Sequence, residues 1–201
     1  MKKLTSMPPS DSTAVSAALG RLGGGRVDGL AQEAEVFRVA LCCGLVTSRD
    51  VASWADAAIH ILGSGDPALV SLAAAGRFPT DIVSRLLCRV QGPRRTARAV
   101  GDVLLVMHDH LERDTGRSLG IAAALDRLAA TGLTPDLAPQ IGVWAFSRRL
   151  EAALNGEYGS AENVIAELRE VLTRHLSASA LARRARQEDG LQLPVTFDTR
   201  P

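Results

Sequence analysis

Glycine stop signals divide this chain into segments rich in Ala, Leu, Arg and Glu, and this division constrains the fold more than any other feature. Between the stops, apolar residues recur at helical spacing, as Leu30, Ala34, Phe37 and Leu41 do. A glycine just past the last periodic residue is typical of a helix end. The sequence therefore predicts an all-α protein, an irregular orthogonal multi-helix bundle of about seven to nine helices. The stops are Gly44, Gly76, Gly92-Pro93, Gly116, Gly132 and Gly156.

The length and composition favour one domain with an aliphatic core. The chain has 201 residues, of which 46% are hydrophobic but only 3% aromatic, so Leu, Val, Ile and Ala must fill the interior. We expect a single all-α domain over 30–189. A flexible N-terminal segment with a short helix is expected over 1–29, and an extended tail over 190–201.

Several helix starts carry recognisable caps. Thr47 to Asp50 supplies an N-cap and a first-turn carboxylate, and Asp66-Pro67 places proline where its missing N–H costs nothing. Thr80-Asp81 opens a helix with Ile82, Val83, Leu86, Leu87 and Val90 facing inward. Later helices are expected over about 94–113, 118–130, 135–155 (capped by Thr134) and from Ser160. The inward stripe of the 94–113 helix is Ala97, Val100, Leu104, Met107 and Leu111.

Arg94, Arg95 and Arg98 form the first candidate binding site. They open a predicted helix at the end where its dipole disfavours cations. Four interpretations are open: a solvated face, a contact with an acidic protein, a small-anion site formed with backbone N–H groups, or DNA binding. For DNA, residues 80–113 resemble a helix-turn-helix whose second helix begins with these arginines.

His108 and Glu112 form a second candidate, for a metal ion. Their i, i+4 spacing puts both on one helix face, as metal ligands often are. A zinc helix of the familiar kind has two histidines at that spacing. Here His108 and His110 are two apart and point in different directions. The alternatives are a solvated helix end and a metal site, and the sequence predicts no cofactor.

Cysteine usage and net charge indicate the redox environment of the protein and limit its possible partners. Cys42, Cys43 and Cys88 are odd in number and predict reduced, buried thiols in a cytoplasmic protein. The 23 basic and 22 acidic residues leave a net charge of +1, so nucleic-acid binding would need a local basic patch. No stretch approaches the roughly 20 apolar residues that span a bilayer, and we expect no membrane partner.

Residues 39–62 carry a resemblance. Val39 to Val46, followed by Asp50 to Asp56 with Trp54, form a helix–glycine–helix pattern with one tryptophan. This pattern resembles small all-helical bacterial proteins of largely unknown function, some of which are immunity proteins for secreted toxins. The resemblance implies a non-catalytic protein that binds another protein, and it assigns no functional residue.

The leading hypothesis is a non-catalytic protein-binding module of the immunity or adaptor type with a protein partner, acidic if the arginines contact it. The first alternative is a DNA-binding regulator that uses residues 80–113. The second is a small metal-dependent enzyme centred on His108. The sequence favours a non-enzymatic role and leaves the oligomeric state open.

Overall fold

Eight α-helices make up the part of the chain that the structure, a computed structural model, describes: residues 29–63, 65–134, 137, 145–157 and 159–176. A 3₁₀ turn, Thr115–Arg117, lies between the fifth and sixth helices. The all-α multi-helix prediction is confirmed. The helices are α1 Leu30–Cys43, α2 Ser48–Leu62, α3 Pro67–Ala73, α4 Thr80–Leu87, α5 Thr96–Arg113, α6 Ser118–Ala130, α7 Phe146–Leu154 and α8 Ala161–His175.

Local caps define the boundaries of α1 to α3. Gly44 ends α1 in the left-handed conformation, with φ of 75°. At the start of α2, Thr47 and Asp50 form a reciprocal capping box: Thr47 Oγ1 accepts from Asp50 N–H, and Thr47 N–H donates to Asp50 Oδ2 at 2.7 Å. The Asp66 carboxylate accepts from Ala68 N–H at 2.8 Å and caps α3. These starts are where the sequence places them.

Five helices close a ring around the core. α1 packs on α5, α5 on α8, α8 on α7, α7 on α6, and α6 back on α1. Within this ring α5 is the central helix, because the nine consecutive residues from Ala99 to Met107 are all buried. The expected single inward stripe was therefore too narrow for α5, and its first member, Ala97, is exposed.

Helices α2, α3 and α4 form a second group attached to the ring through α1. α2 packs on α3, and both pack on α4, which in turn packs on α1. The Trp54 ring of α2 stacks on Phe37 with 4.9 Å between centroids, and its indole N–H donates to Glu33 at 3.1 Å. We call α2 to α4 the attached group.

The chain then passes closely over α1 between α4 and α5. Gly92 has φ of 136°, and a Cβ built there would lie 2.9 Å from the Cβ of Ala31. Only glycine permits both the conformation and the approach.

Two helix predictions need correction. α7 begins at Phe146 and not near residue 135, because the backbone of Ala145 is extended. Most of the predicted helix before Ala145 lies outside the described residues. Thr134 is not its cap. Ile82 of α4 points outward and is 38% exposed, while Val83 and Leu87 of this helix, and Val90 just after it, are buried as predicted. The predicted N-terminal segment up to residue 28 and the tail over 190–201 also lie outside the described residues.

Candidate functional site

The three candidate arginines do not form one surface cluster. Arg94 is half-buried, and its guanidinium donates to the backbone oxygens of Cys88, at 2.8 Å, and of Val90. It therefore satisfies carbonyl groups at the C-terminal end of α4. Arg95 is exposed and precedes α5, and Arg98 lies in the first turn with its Nε 3.9 Å from Asp102. Of the three, Arg94 has its guanidinium fixed by hydrogen bonds to the backbone just after α4.

A polar network ties this arginine segment to α1. The Gln32 side chain hydrogen-bonds to both backbone groups of Arg95. Its oxygen accepts from Arg95 N–H at 2.8 Å, and its amide nitrogen donates to Arg95 O at 3.3 Å. The Glu35 carboxylate is buried and accepts from Arg38, at 2.7 and 2.8 Å, and from the Thr96 hydroxyl at 2.7 Å. The network positions the start of α5.

The same network shifts two pKa values in opposite directions. Hydrogen bonds from Arg38 and Thr96 lower the pKa of Glu35, although its burial acts the other way. The hydrogen bond to Glu35 raises the pKa of Arg38. Both groups are therefore charged at neutral pH.

The 80–113 segment differs from a helix-turn-helix in two respects. Residues 88–95 separate α4 from α5, whereas the motif joins its helices by a turn of about three to four residues. The second helix is the buried centre of the ring, and only its ends reach solvent. A recognition helix must offer an exposed face to a DNA groove. This geometry does not favour the DNA alternative.

His108 and Glu112 contact different residues. Glu112 forms an ion pair with Arg169 of α8. The His108 side chain is largely buried, with Nδ1 4.0 Å from Asp109. Among the residues described, no three His, Cys, Asp or Glu side chains group in a way that could hold a metal ion. Within this part of the chain the predicted pair therefore gains no third ligand.

The cysteines lie in three different environments. Cys43 is buried and donates to the Val39 carbonyl at 3.1 Å, and desolvation raises the pKa of its thiol to about 12. Cys42 is half-buried. Cys88 is exposed at the end of α4, so the prediction that all three are buried was wrong for this residue.

The feature that the sequence analysis missed is an uncharged, exposed helix. From Pro67 to Gly76 the chain has no charged residue, and Leu69 and Leu72 face the core. The opposite face of α3 and its following turn is nonetheless exposed, and Val70 has half of its surface (52%) in solvent. Ser71 is the one polar side chain within α3, and its hydroxyl donates to the Pro67 carbonyl at 2.7 Å.

Further exposed apolar side chains lie on the elements next to α3. Among the described residues six large apolar side chains are exposed, and Ile61, Val70, Phe78 and Ile82 all belong to the attached group or its loops. Phe78 is 46% exposed just before α4. We define the α3 surface as Pro67, Val70, Ser71, Ala74, Phe78 and Ile82. In the sequence, the signal for this surface is the uncharged run that follows the helix cap at Asp66.

An open groove adjoins the N-terminal half of this surface. Its volume is about 440 Å³, and Pro67, Ala68 and Ser71 form one wall while Arg89 and Gln91 form the other. Asp66, which caps α3, also lines it. The groove joins the α3 surface to the basic segment that follows α4.

Comparison of this chain with protein-family models, with curated proteins and with solved structures finds no match. None of the helices in the described ranges combines the length and apolar character needed to cross a membrane.

Proposed function

We propose that this protein is a non-catalytic protein-binding module that binds its partner through the α3 surface. The observation that carries the proposal is the uncharged, exposed face of α3. A surface helix of a globular protein normally turns polar or charged residues to solvent, and a helix that is apolar all round is normally buried. A partner protein would bury this face.

The neighbouring side chains support the same proposal. Phe78 and Ile82 add large apolar side chains of the kind that anchor protein interfaces, and the groove beside Pro67 and Ser71 offers a concave pocket for a partner side chain. The helices that carry the surface are fixed to the ring by α4 and by Trp54. The surface is thus presented on helices that pack against the ring through α1.

An immunity or adaptor role is the specific form of this proposal. Both roles require stable recognition of another protein and no chemistry at the interface. The resemblance of residues 39–62 to small helical bacterial proteins implies the same kind of role. In an immunity protein, the α3 surface would contact the toxin.

Affinity capture followed by reconstitution tests the proposal. The tagged full chain, a Val70→Glu variant and a Leu154→Glu variant are used to capture proteins from the native cells. Leu154 is an exposed leucine (59%) on α7, so Leu154→Glu is a control that introduces the same charge at an exposed apolar position of the ring. Each captured protein is then purified and its Kd for the three chains is measured by calorimetry.

The expected result is a binary complex that Val70→Glu weakens at least about tenfold and Leu154→Glu leaves unchanged, because a buried glutamate must lose its solvation. Circular dichroism confirms that both variants fold. A complex that binds Val70→Glu as tightly as the original chain would overturn the proposal.

A further inference from the structure

We propose that the element bound by the α3 surface is an acidic amphipathic helix of the partner protein. This inference rests on the proposed function and specifies the chemistry of the partner. Its evidence is the distribution of charge around the α3 surface.

The segment of the chain that contains α3 and α4 is basic, although the whole protein is nearly neutral. Residues 65–98 contain six arginines and only two acidic residues, Asp66 and Asp81. Asp66 caps α3, and Asp81 pairs with Arg85 at 2.5 Å. Both carboxylates are thus engaged within the protein, and the six arginines against two aspartates give this segment a formal net charge of +4.

Two arginines lie at opposite ends of the uncharged face. Arg77 is exposed after the C-terminal end of α3, next to Phe78. Arg89 is exposed beside Pro67 and Ser71, across the groove at the N-terminal end. An apolar centre with a charged rim is the usual anatomy of an interface, and the rim selects a partner of opposite charge.

A helix suits this surface better than an extended strand. An extended peptide binds by adding to an exposed sheet edge, and the described part of the chain contains helices without any strand. An amphipathic helix instead lays apolar residues at i, i+3, i+4 and i+7 into a groove between helices. The exposed face of α3 offers apolar contacts to such a helix, and Arg89 in the adjoining groove offers a charged one.

The charge pattern also argues against a second copy of this chain. A two-fold symmetric interface brings the same patch of both copies together. Two antiparallel α3 faces would bring Arg77 of each copy towards Arg89 of the other, and a parallel arrangement would pair each arginine with itself. Like charges across an interface are unfavourable, so a partner with carboxylates at its rim fits better.

Site-specific photo-crosslinking in the native cells tests this inference. Photoreactive benzoylphenylalanine replaces Phe78 in one full-length variant, Val70 in a second and Leu154 in a third, which serves as the control on the ring. The crosslinked peptides are identified by mass spectrometry. We expect Phe78 and Val70, but not Leu154, to crosslink to a protein segment of net negative charge with apolar residues at helical spacing.

Charge-reversal variants provide a second test of the acidic partner. Arg77→Glu and Arg89→Glu are each expected to lower the crosslinking yield at position 78 about tenfold, while Arg148→Glu, the same change on α7, leaves it unaltered. A neutral or basic crosslinked segment, a nucleic acid or a second copy of this chain would overturn the inference.

The two proposals fail in distinguishable ways. If positions 70 and 78 crosslink no better than position 154, the α3 surface is not an interface and both proposals fall. If they crosslink to a protein but the yield is indifferent to Arg77→Glu and Arg89→Glu, the acidic partner is contradicted and the interface stands.

Discussion

At the scale of single residues, the most consequential group is the Glu35 carboxylate, which joins α1 to the start of α5. It is buried at 3% exposure, yet it is charged because Arg38 and Thr96 supply three hydrogen bonds. A buried charge held in this way is costly to leave without its partners. The pairing with Arg38, three residues along the same helix, is visible in the sequence, but the contact with Thr96 is not, since Thr96 lies 61 positions away.

Glu35→Gln is expected to lower the free energy of unfolding at pH 7 by about 2 kcal/mol, the scale of hydrogen bonds to a charged group. Because the pKa of Glu35 is lowered in the folded protein, its contribution is present above the ordinary value of 4.5 and is lost as the pH falls through the lowered pKa. The variant should therefore lose less stability than the original chain as the pH falls below 4.5.

Urea unfolding between pH 3 and 7 checks this prediction, with Glu151→Gln as a control at an exposed carboxylate. If Glu35→Gln and the original chain show parallel pH profiles, the lowered pKa of Glu35 is refuted.

Thiol reactivity is a second property set at single residues. Burial raises the pKa of Cys43 to about 12, whereas Cys88 is exposed. The thiolate is the reactive form, so Cys43 should alkylate about a thousandfold more slowly at pH 8 than an exposed thiol of ordinary pKa. Iodoacetamide labelling with peptide-resolved mass spectrometry measures this, and modification of Cys43 at the rate of Cys88 would contradict the buried environment.

At the scale of elements, α7 shows why some boundaries can be predicted and others cannot. The starts of α2 and α3 depend on caps within a few residues, and these are visible in the sequence. The start of α7 depends on Asp126 of α6, whose two carboxylate oxygens accept from Phe146 N–H at 3.0 Å and Ser147 N–H at 2.9 Å. This cap comes from another helix and exists only once α6 and α7 pack.

Asp126→Ala is expected to lower the free energy of unfolding by about 1–2 kcal/mol, because it leaves two N–H groups at the start of α7 without their acceptor. Asp126→Asn retains an acceptor oxygen and should lose less. Chemical denaturation of the three chains provides the comparison. Equal stability of Asp126→Ala and the original chain would show that the interhelical cap does not contribute.

At the scale of the whole molecule, the ring of five helices, with α5 as its most buried member, supports the attached group that carries the α3 surface. The sequence predicted the helical class and most inward faces, because periodicity encodes burial on one side. The sequence did not reveal that α5 is buried on all sides from Ala99 to Met107. Periodicity predicts one buried face, whereas this helix packs against several neighbours. Nor did the sequence predict that α3 stays exposed, because the apolar periodicity of a short helix is the same whether a partner or the core covers it.

The central claim, that the α3 surface binds the partner, is tested most directly by amide hydrogen exchange of the purified full chain with and without its captured partner. We predict slower exchange over 67–82 in the complex and unchanged exchange in α6, α7 and α8. Backbone amides covered by a partner open less often, whereas those of the distant ring helices are unaffected. Protection that falls on α7 and α8 and leaves 67–82 unchanged would contradict the account.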